Sequence, residues 1–219
     1  MDKKTKIKLV VFDFDGTLAD TQTVIVDTMM GVIAELGLEQ RSREQCAAMI
    51  GLPLSETFAT LMPLTNEMNR RCAETYERIF RENNKPGAVK LFPHVLETLT
   101  ALHQKGITLT IASSRGRQSL LRFVDDFELN GIITYVLGAD DVAQAKPHPE
   151  PVLKTLRELH FAPQETLVVG DTVFDIQMGQ RAQAHTCGVT FGNGKRADME
   201  QIHTEHIIDR FSDLLGLVD

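Results

Sequence analysis

Asp13 and Asp15 stand two residues apart at the end of the apolar run Ile7-Lys8-Leu9-Val10-Val11-Phe12, with Gly16-Thr17 directly behind them. Three further sets of reactive residue types occupy comparable places. Ser113-Ser114-Arg115 follow Ile111-Ala112, Lys146 precedes Pro147, and Asp171 follows Gly170, with Asp175 one helical turn further on. Carboxylates gathered at one place repel one another and rise in pKa unless a divalent cation neutralises them. A donor set made only of oxygens suits Mg²⁺, which takes one or two carboxylates, retained waters and a substrate phosphate oxygen. On this reading Asp13, Asp171 and a backbone carbonyl near Asp15 hold the ion. Asp175 reads equally as an outer partner of the metal or as an ordinary first-turn acid facing the helix dipole.

The same residues suit phosphoryl transfer. An unprotonated carboxylate can attack phosphorus and split one hard displacement into two easier ones, and Asp13 is the candidate nucleophile. If the turn at Gly16 swings Asp15 to the other side of the phosphoryl group, Asp15 can protonate the leaving oxygen and later deprotonate the attacking water. The equatorial oxygens need donors and positive charge already in place, which Ser113 and Lys146 offer. Ser114 and Arg115, expected at the start of the next helix, would turn backbone N–H groups to the phosphate. Gly16 and Thr17 supply the turn and are counted with them as phosphate-binding residues.

These residues need a scaffold that brings distant segments together. The run 7–12 reads as a buried strand. Ile25, Met29, Val32, Ile33 and Leu36 then fall on one helical face, which Gly37 ends. Ser42-Arg43-Glu44-Gln45 is a capping-box pattern, and Met68, Cys72, Tyr76, Ile79 and Phe80 form a further apolar stripe. Asn83-Asn84-Lys85-Pro86-Gly87 reads as a hinge. Beyond it, helical stretches near 94–105, 117–126, 149–159 and 174–183 alternate with strand-like runs at 107–112, 134–137, 166–169 and 186–189, an α/β pattern with a parallel sheet. The helical block is far longer than an ordinary βα connection. It is expected to form a cap over residues 21–87, with residues 1–20 and 88–219 forming the core. Leaving the carboxyl end of the first strand, such a cap would stand over the ligand site of an open parallel sheet.

The set Asp13-Phe14-Asp15-Gly16-Thr17-Leu18, Ile111-Ala112-Ser113, Lys146-Pro147 and Gly170-Asp171-Thr172-Val173-Phe174-Asp175 resembles the four motifs of the haloacid dehalogenase superfamily of phosphohydrolases. The resemblance implies a Rossmann-like core, an inserted helical cap, Mg²⁺ dependence and an aspartyl-phosphate intermediate. Asp15 favours a phosphate substrate, since true dehalogenases lack an acid there and phosphonate-cleaving members carry a small residue. Ile50-Gly51-Leu52-Pro53-Leu54 resembles the phosphoglycolate phosphatase and pyrophosphatase branch. Ser55 and Glu56 stand where the β-phosphoglucomutase branch usually has an arginine, so the mutase reading loses ground. The expected activity is phosphoglycolate phosphatase-like, with inorganic pyrophosphatase or sugar-phosphate phosphatase as the alternative. A phospho-receiver signalling module is the rival from another class, but its accepting Asp would follow a middle strand and it would need no cap.

Composition bounds these readings. Of 219 residues, 42% are hydrophobic and 24% charged, ordinary globular usage with room for one large domain or a core with an insertion. With 23 Lys+Arg against 30 Asp+Glu the chain carries −7, which disfavours a nucleic-acid partner. No run nears the ~18 apolar residues of a membrane span, and Met1–Lys8 is polar, so a cytoplasmic setting is expected. The expected partner is a small phosphorylated substrate, for a monomer or homodimer. Cys46, Cys72 and Cys187 fit neither a disulfide framework nor a zinc site and are expected as buried thiols. His203 and His206 read as a polar strand edge, Gly192-Asn193-Gly194-Lys195 as a turn, and His94 as a water-facing helix start that could touch substrate. Met29, Met68 and Tyr76 read as helix packing without chemistry.

Overall fold

The computed structural model describes residues 6–218; the start of the polar Met1–Lys8 segment lies outside the described residues. The chain opens with strand β1 (Leu9–Phe12), a two-residue strand β2 (Ala19–Asp20) and four helices: α1 (Gln22–Glu35), α2 (Arg43–Ala47), α3 (Leu54–Leu61) and α4 (Asn66–Asn83). A second short strand, β3 (Lys90–Leu91), precedes the alternating half: α5 (Val95–Gln104), β4 (Thr108–Ala112), α6 (Arg117–Asp126), β5 (Ile133–Leu137), α7 (Glu150–Leu159), β6 (Thr166–Gly170), α8 (Val173–Arg181), β7 (His185–Val189), α9 (Arg196–Gln201) and β8 (His206–Ile208). The expected strands and helices of this half are present, their ends displaced by a residue or two.

Six strands form one sheet in the order β5-β4-β1-β6-β7-β8, every neighbouring pair parallel. β1 is central and all four of its residues are fully buried, as a parallel strand covered on both faces must be. The register aligns Phe12 with Ile111 of β4 and Val169 of β6, so the residues that follow these three strands leave the sheet at one edge. That edge holds Asp13, Ser113 and Asp171.

β2 and β3 pair antiparallel, Ala19 with Leu91 and Asp20 with Lys90, and set the two ends of the helical insert side by side. We propose this ladder as the neck between cap and core. It had no sequence signature, since two residues per strand are too few to show a period. Within the insert α1 packs along α4, Gly37 takes φ +62° just past α1, and the Ser42 and Gln45 side chains and backbones cap α2 reciprocally. Cys46, Cys72 and Cys187 are free and buried.

Candidate active site

Asp13 directly follows the central strand and is 4% exposed. Its Oδ1 accepts from Lys146 Nζ at 2.6 Å, and the same Nζ donates to Asp175 Oδ1 at 2.6 Å. Asp13, Asp171 and Asp175 form a buried triad whose nearest carboxylate oxygens lie within 4.8 Å of one another. Asp175 Oδ2 accepts from the backbone N–H and hydroxyl of Thr172, so both its oxygens are committed to protein donors and it caps α8. Asp171 accepts from Thr17 Oγ1 through Oδ1, and from Asn193 N and Nδ2 through Oδ2.

Burial pushes the Asp13 carboxyl well above its ordinary value; the Lys146 ammonium opposes this, and the neighbouring carboxylates reinforce it. Asp171 is pushed up to about 7, chiefly by burial and then by Asp175. For Lys146 burial acts downward, but Asp13 and Asp175 outweigh it and hold the ammonium charged. One lysine thus stands against three buried carboxylates, a deficit of positive charge that a divalent cation would relieve. The all-oxygen donor set fits a hard ion.

Lys146→Met, which removes the cation bonded to Asp13 and Asp175, should destabilise the metal-free protein by about 3–5 kcal/mol, because it strands buried carboxylates. Urea unfolding in EDTA measures this. A midpoint equal to the parent's would mean that the triad does not depend on Lys146.

Asp15, on the loop after β1, turns away from the triad. Arg115 grips it with Nε to Oδ2 at 3.0 Å and Nη2 to Oδ1 at 2.6 Å. The guanidinium also donates to Ser119 Oγ and stacks on Phe80 of α4 and Phe123 of α6, 4.6 and 5.3 Å from the ring centroids. Asp15 therefore contributes no carboxylate to the triad, and the metal expectation for this segment rests on a backbone carbonyl alone. Asp13 and Asp15 nevertheless both line one cavity of about 660 Å³ between the sheet edge and the helical insert. Ser113 lines it too; its Oγ accepts the Arg115 N–H, which leaves the hydroxyl proton for a ligand.

The residues expected to bind phosphate divide differently. α6 begins at Arg117 after an extended Gly116, so Ser114 and Arg115 do not open the helix, and their side chains serve protein groups. Ser114 Oγ donates to the Gly51 carbonyl of the insert at 2.7 Å, and Arg115 is taken by Asp15. Thr17 is wholly buried and serves Asp171 rather than the cavity. Gly16 takes φ +89°, and a Cβ there would collide with Asp171 Oδ2 and Asn193 Nδ2. Lys146 lies in the loop before α7, which starts at Glu150.

Gly192-Asn193-Gly194 is the expected turn, and it also touches the triad: Asn193 holds Asp171, and a Cβ at Gly192 would strike Gly16 O and the Asp171 side chain. Its position beyond the carboxyl end of another parallel strand, β7, was the signal that could have found it. Met29 and Tyr76 line the cavity as well as packing, whereas Met68 does not line it. His94 is exposed, at φ +66°, and is not among the cavity-lining residues. His203 and His206 are outside the carboxylate triad, and His206 begins the edge strand β8.

A parallel α/β sheet with buried carboxylates and a lysine at its carboxyl edge, one of those carboxylates, Asp13, lining a cavity beside inserted helices, fits a hydrolase of the phosphoryl-handling class. The family model for haloacid dehalogenase-like hydrolases matches residues 10–189, and the chain belongs to this family. It is 34% identical over 212 residues to pyrophosphatase PpaX of Anoxybacillus flavithermus, covering 97% of each chain. It is 35% identical over 211 residues to a protein of Dickeya dadantii named probable phosphatase IndB, covering 95% of this chain and 92% of that one. A crystal structure of a haloacid dehalogenase-like hydrolase from Bacteroides fragilis superposes with a TM-score of 0.90 at 28% identity, over 95% of this chain and 100% of that one. No described helix is long and apolar enough to cross a membrane.

Proposed function

We propose that the protein is a Mg²⁺-dependent phosphatase of small phosphorylated metabolites that works through an aspartyl-phosphate on Asp13. The observation that carries this reading is the placement of Asp13 and Asp15 on one cavity, with Lys146 and the carboxylate triad directly behind Asp13. Lys146 occupies Asp13 Oδ1, and no described donor takes Oδ2, which is the oxygen assigned to attack. As the bond from Oδ2 to phosphorus forms, the bond from phosphorus to the leaving oxygen breaks and Asp15 supplies that oxygen with a proton. Asp15 then takes a proton from water, whose oxygen attacks the same phosphorus and releases Asp13 with inorganic phosphate. Ser113 and Lys146 supply donors to the phosphoryl oxygens throughout.

Asp13 and Asp171, with the Asp15 backbone carbonyl, would hold the ion, and Asp175 would act behind them by fixing Lys146 and Thr172. When bound, Mg²⁺ supplies charge neutralisation for the phosphate dianion and the triad. The Asp15-Arg115 grip aims the acid–base carboxylate with a planar, two-bonded fork. The name of the relative PpaX supports pyrophosphate as a second substrate reading, and Ile50–Leu54 supports phosphoglycolate. A cytoplasmic setting belongs to the same proposal.

Removal of the metal tests it. Phosphate release should cease in EDTA and return with added Mg²⁺, and the melting temperature should rise with Mg²⁺ as the triad is neutralised; saturation at ~100 Kd is worth about 2.7 kcal/mol. Full turnover in EDTA would sink the proposal.

A further inference from the structure

Two helices, α4 of the insert and α6 of the core, contribute facing walls to the cavity. Arg115 ties them together, its guanidinium stacked on Phe80 of α4 and Phe123 of α6. Along one wall Glu77, Arg81 and Asn84 recur at helical spacing, and along the other Gln118, Arg122 and Asp126 do the same; all six line the cavity.

The three arginines of the cavity differ in what they hold. Arg115 is committed, with two nitrogens donating to Asp15 and the third to Ser119. Arg122 makes no hydrogen bond or ion pair with any described residue, although Asp126 stands one helical turn away. Arg81 gives only its Nε, to the Glu77 carbonyl of its own helix, and neither terminal nitrogen meets a described partner. The side-chain amides of Asn84 and Gln118 are likewise unpaired among the described residues. Uncommitted donors thus gather on two facing walls.

Their depth differs from that of the reacting group. Asp13 is 4% exposed, whereas Arg81 and Arg122 are exposed and mark the mouth. The cavity is about 660 Å³, and a compact space of that volume is about 11 Å across. In phosphoglycolate the carboxyl carbon is three bonds from phosphorus, at most ~4.5 Å at ~1.5 Å per single bond, and falls short of the mouth.

We propose that Arg122 of the core and Arg81 of the insert are specificity-determining residues, which together receive a second anionic group, carboxylate or phosphate, carried by the substrate at the end far from its scissile phosphate. The inference rests on the phosphatase reading and adds the residues that select the leaving group. A planar guanidinium meets either anion through two parallel N–H bonds, and Gln118 and Asn84 supply amide donors beside it. Both guanidiniums are exposed and each has a carboxylate one turn away, so the preference is modest.

The test is Mg²⁺-dependent phosphate release by the full-length protein from pairs that differ in one distal group. They are 6-phosphogluconate against sorbitol 6-phosphate, for a carboxylate, and fructose 1,6-bisphosphate against fructose 6-phosphate, for a phosphate. At least one anionic member should exceed its partner by roughly five- to tenfold in kcat/KM, the worth of one charge-assisted hydrogen bond. That ratio should fall as ionic strength rises from about 0.01 M to about 0.15 M. Arg81→Gln combined with Arg122→Gln should bring it to about one, and Arg122→Lys, which keeps the charge, should retain most of it. Arg70→Gln, on the same helix as Arg81 but paired with Glu67 and Glu74 and not lining the cavity, should leave the ratio at the parental value. Equal rates within both pairs, or a ratio that survives the double substitution, would overturn the assignment and leave the phosphatase standing. So would a higher kcat/KM for phosphoglycolate or pyrophosphate than for either anionic member. Absence of phosphate release from every one of these substrates and from p-nitrophenyl phosphate would instead remove the phosphatase reading, and this inference with it.

Discussion

Asp13→Asn is expected to lower kcat/KM by roughly 10⁴-fold or more, a loss of about 5.5 kcal/mol of transition-state stabilisation. An amide oxygen is a poor nucleophile, and the substitution also removes one of the charges that faces Lys146 and the proposed ion. Folding should survive. The amide is isosteric, Asn keeps an oxygen for Lys146, and one buried negative charge fewer relieves repulsion within the triad. The two effects separate in one preparation, with turnover measured by phosphate release and stability by thermal melting. Normal hydrolysis by a folded Asp13→Asn protein would show that the nucleophile lies elsewhere.

Asp15→Ala should produce the opposite chemical signature two residues away. With an aryl phosphate, whose leaving oxygen needs little protonation, Asp13 can still attack, but water then lacks its base. The aspartyl-phosphate should accumulate, its breakdown slowed by roughly 10²–10⁴-fold. Rapid acid quench and intact-protein mass should find one added phosphoryl group, localised to Asp13, and none in Asp13→Asn. The substitution also frees Arg115, whose guanidinium keeps Ser119 and the faces of Phe80 and Phe123. If the label appears on Asp13→Asn, or if Asp15→Ala turns over at the parental rate with no label, the division of roles fails.

The four motifs and their order were legible because each lies beside a strand or helix with a strong local pattern. β1 shows a continuous apolar run, and the abrupt change to Asp13-Phe14-Asp15-Gly16 marks its end. The alternating second half follows from hydrophobic periods that neighbouring residues express among themselves. Ser42 and Gly37 are similar cases, since a reciprocal side-chain cap and a positive φ are satisfied within a few residues. Lys146 was identified only by its place in the set, and its two partners lie 133 and 29 residues away.

The sequence by itself determined the α/β class, the run of helices after the first strand and the acidic character of the site, because local period and residue type encode these. Tertiary structure decided how those residues are used. It gave Arg115 to Asp15 and Thr17 to Asp171, drew Asn193 into the site, and turned Met29 and Tyr76 towards a cavity. Each of these is a contact across long stretches of chain, fixed by the strand order and the seating of the insert. No spacing along the sequence encodes which donor a buried carboxylate will find. That follows only from which side chains the packed fold brings within hydrogen-bond distance, since leaving a buried carboxylate unpaired costs free energy.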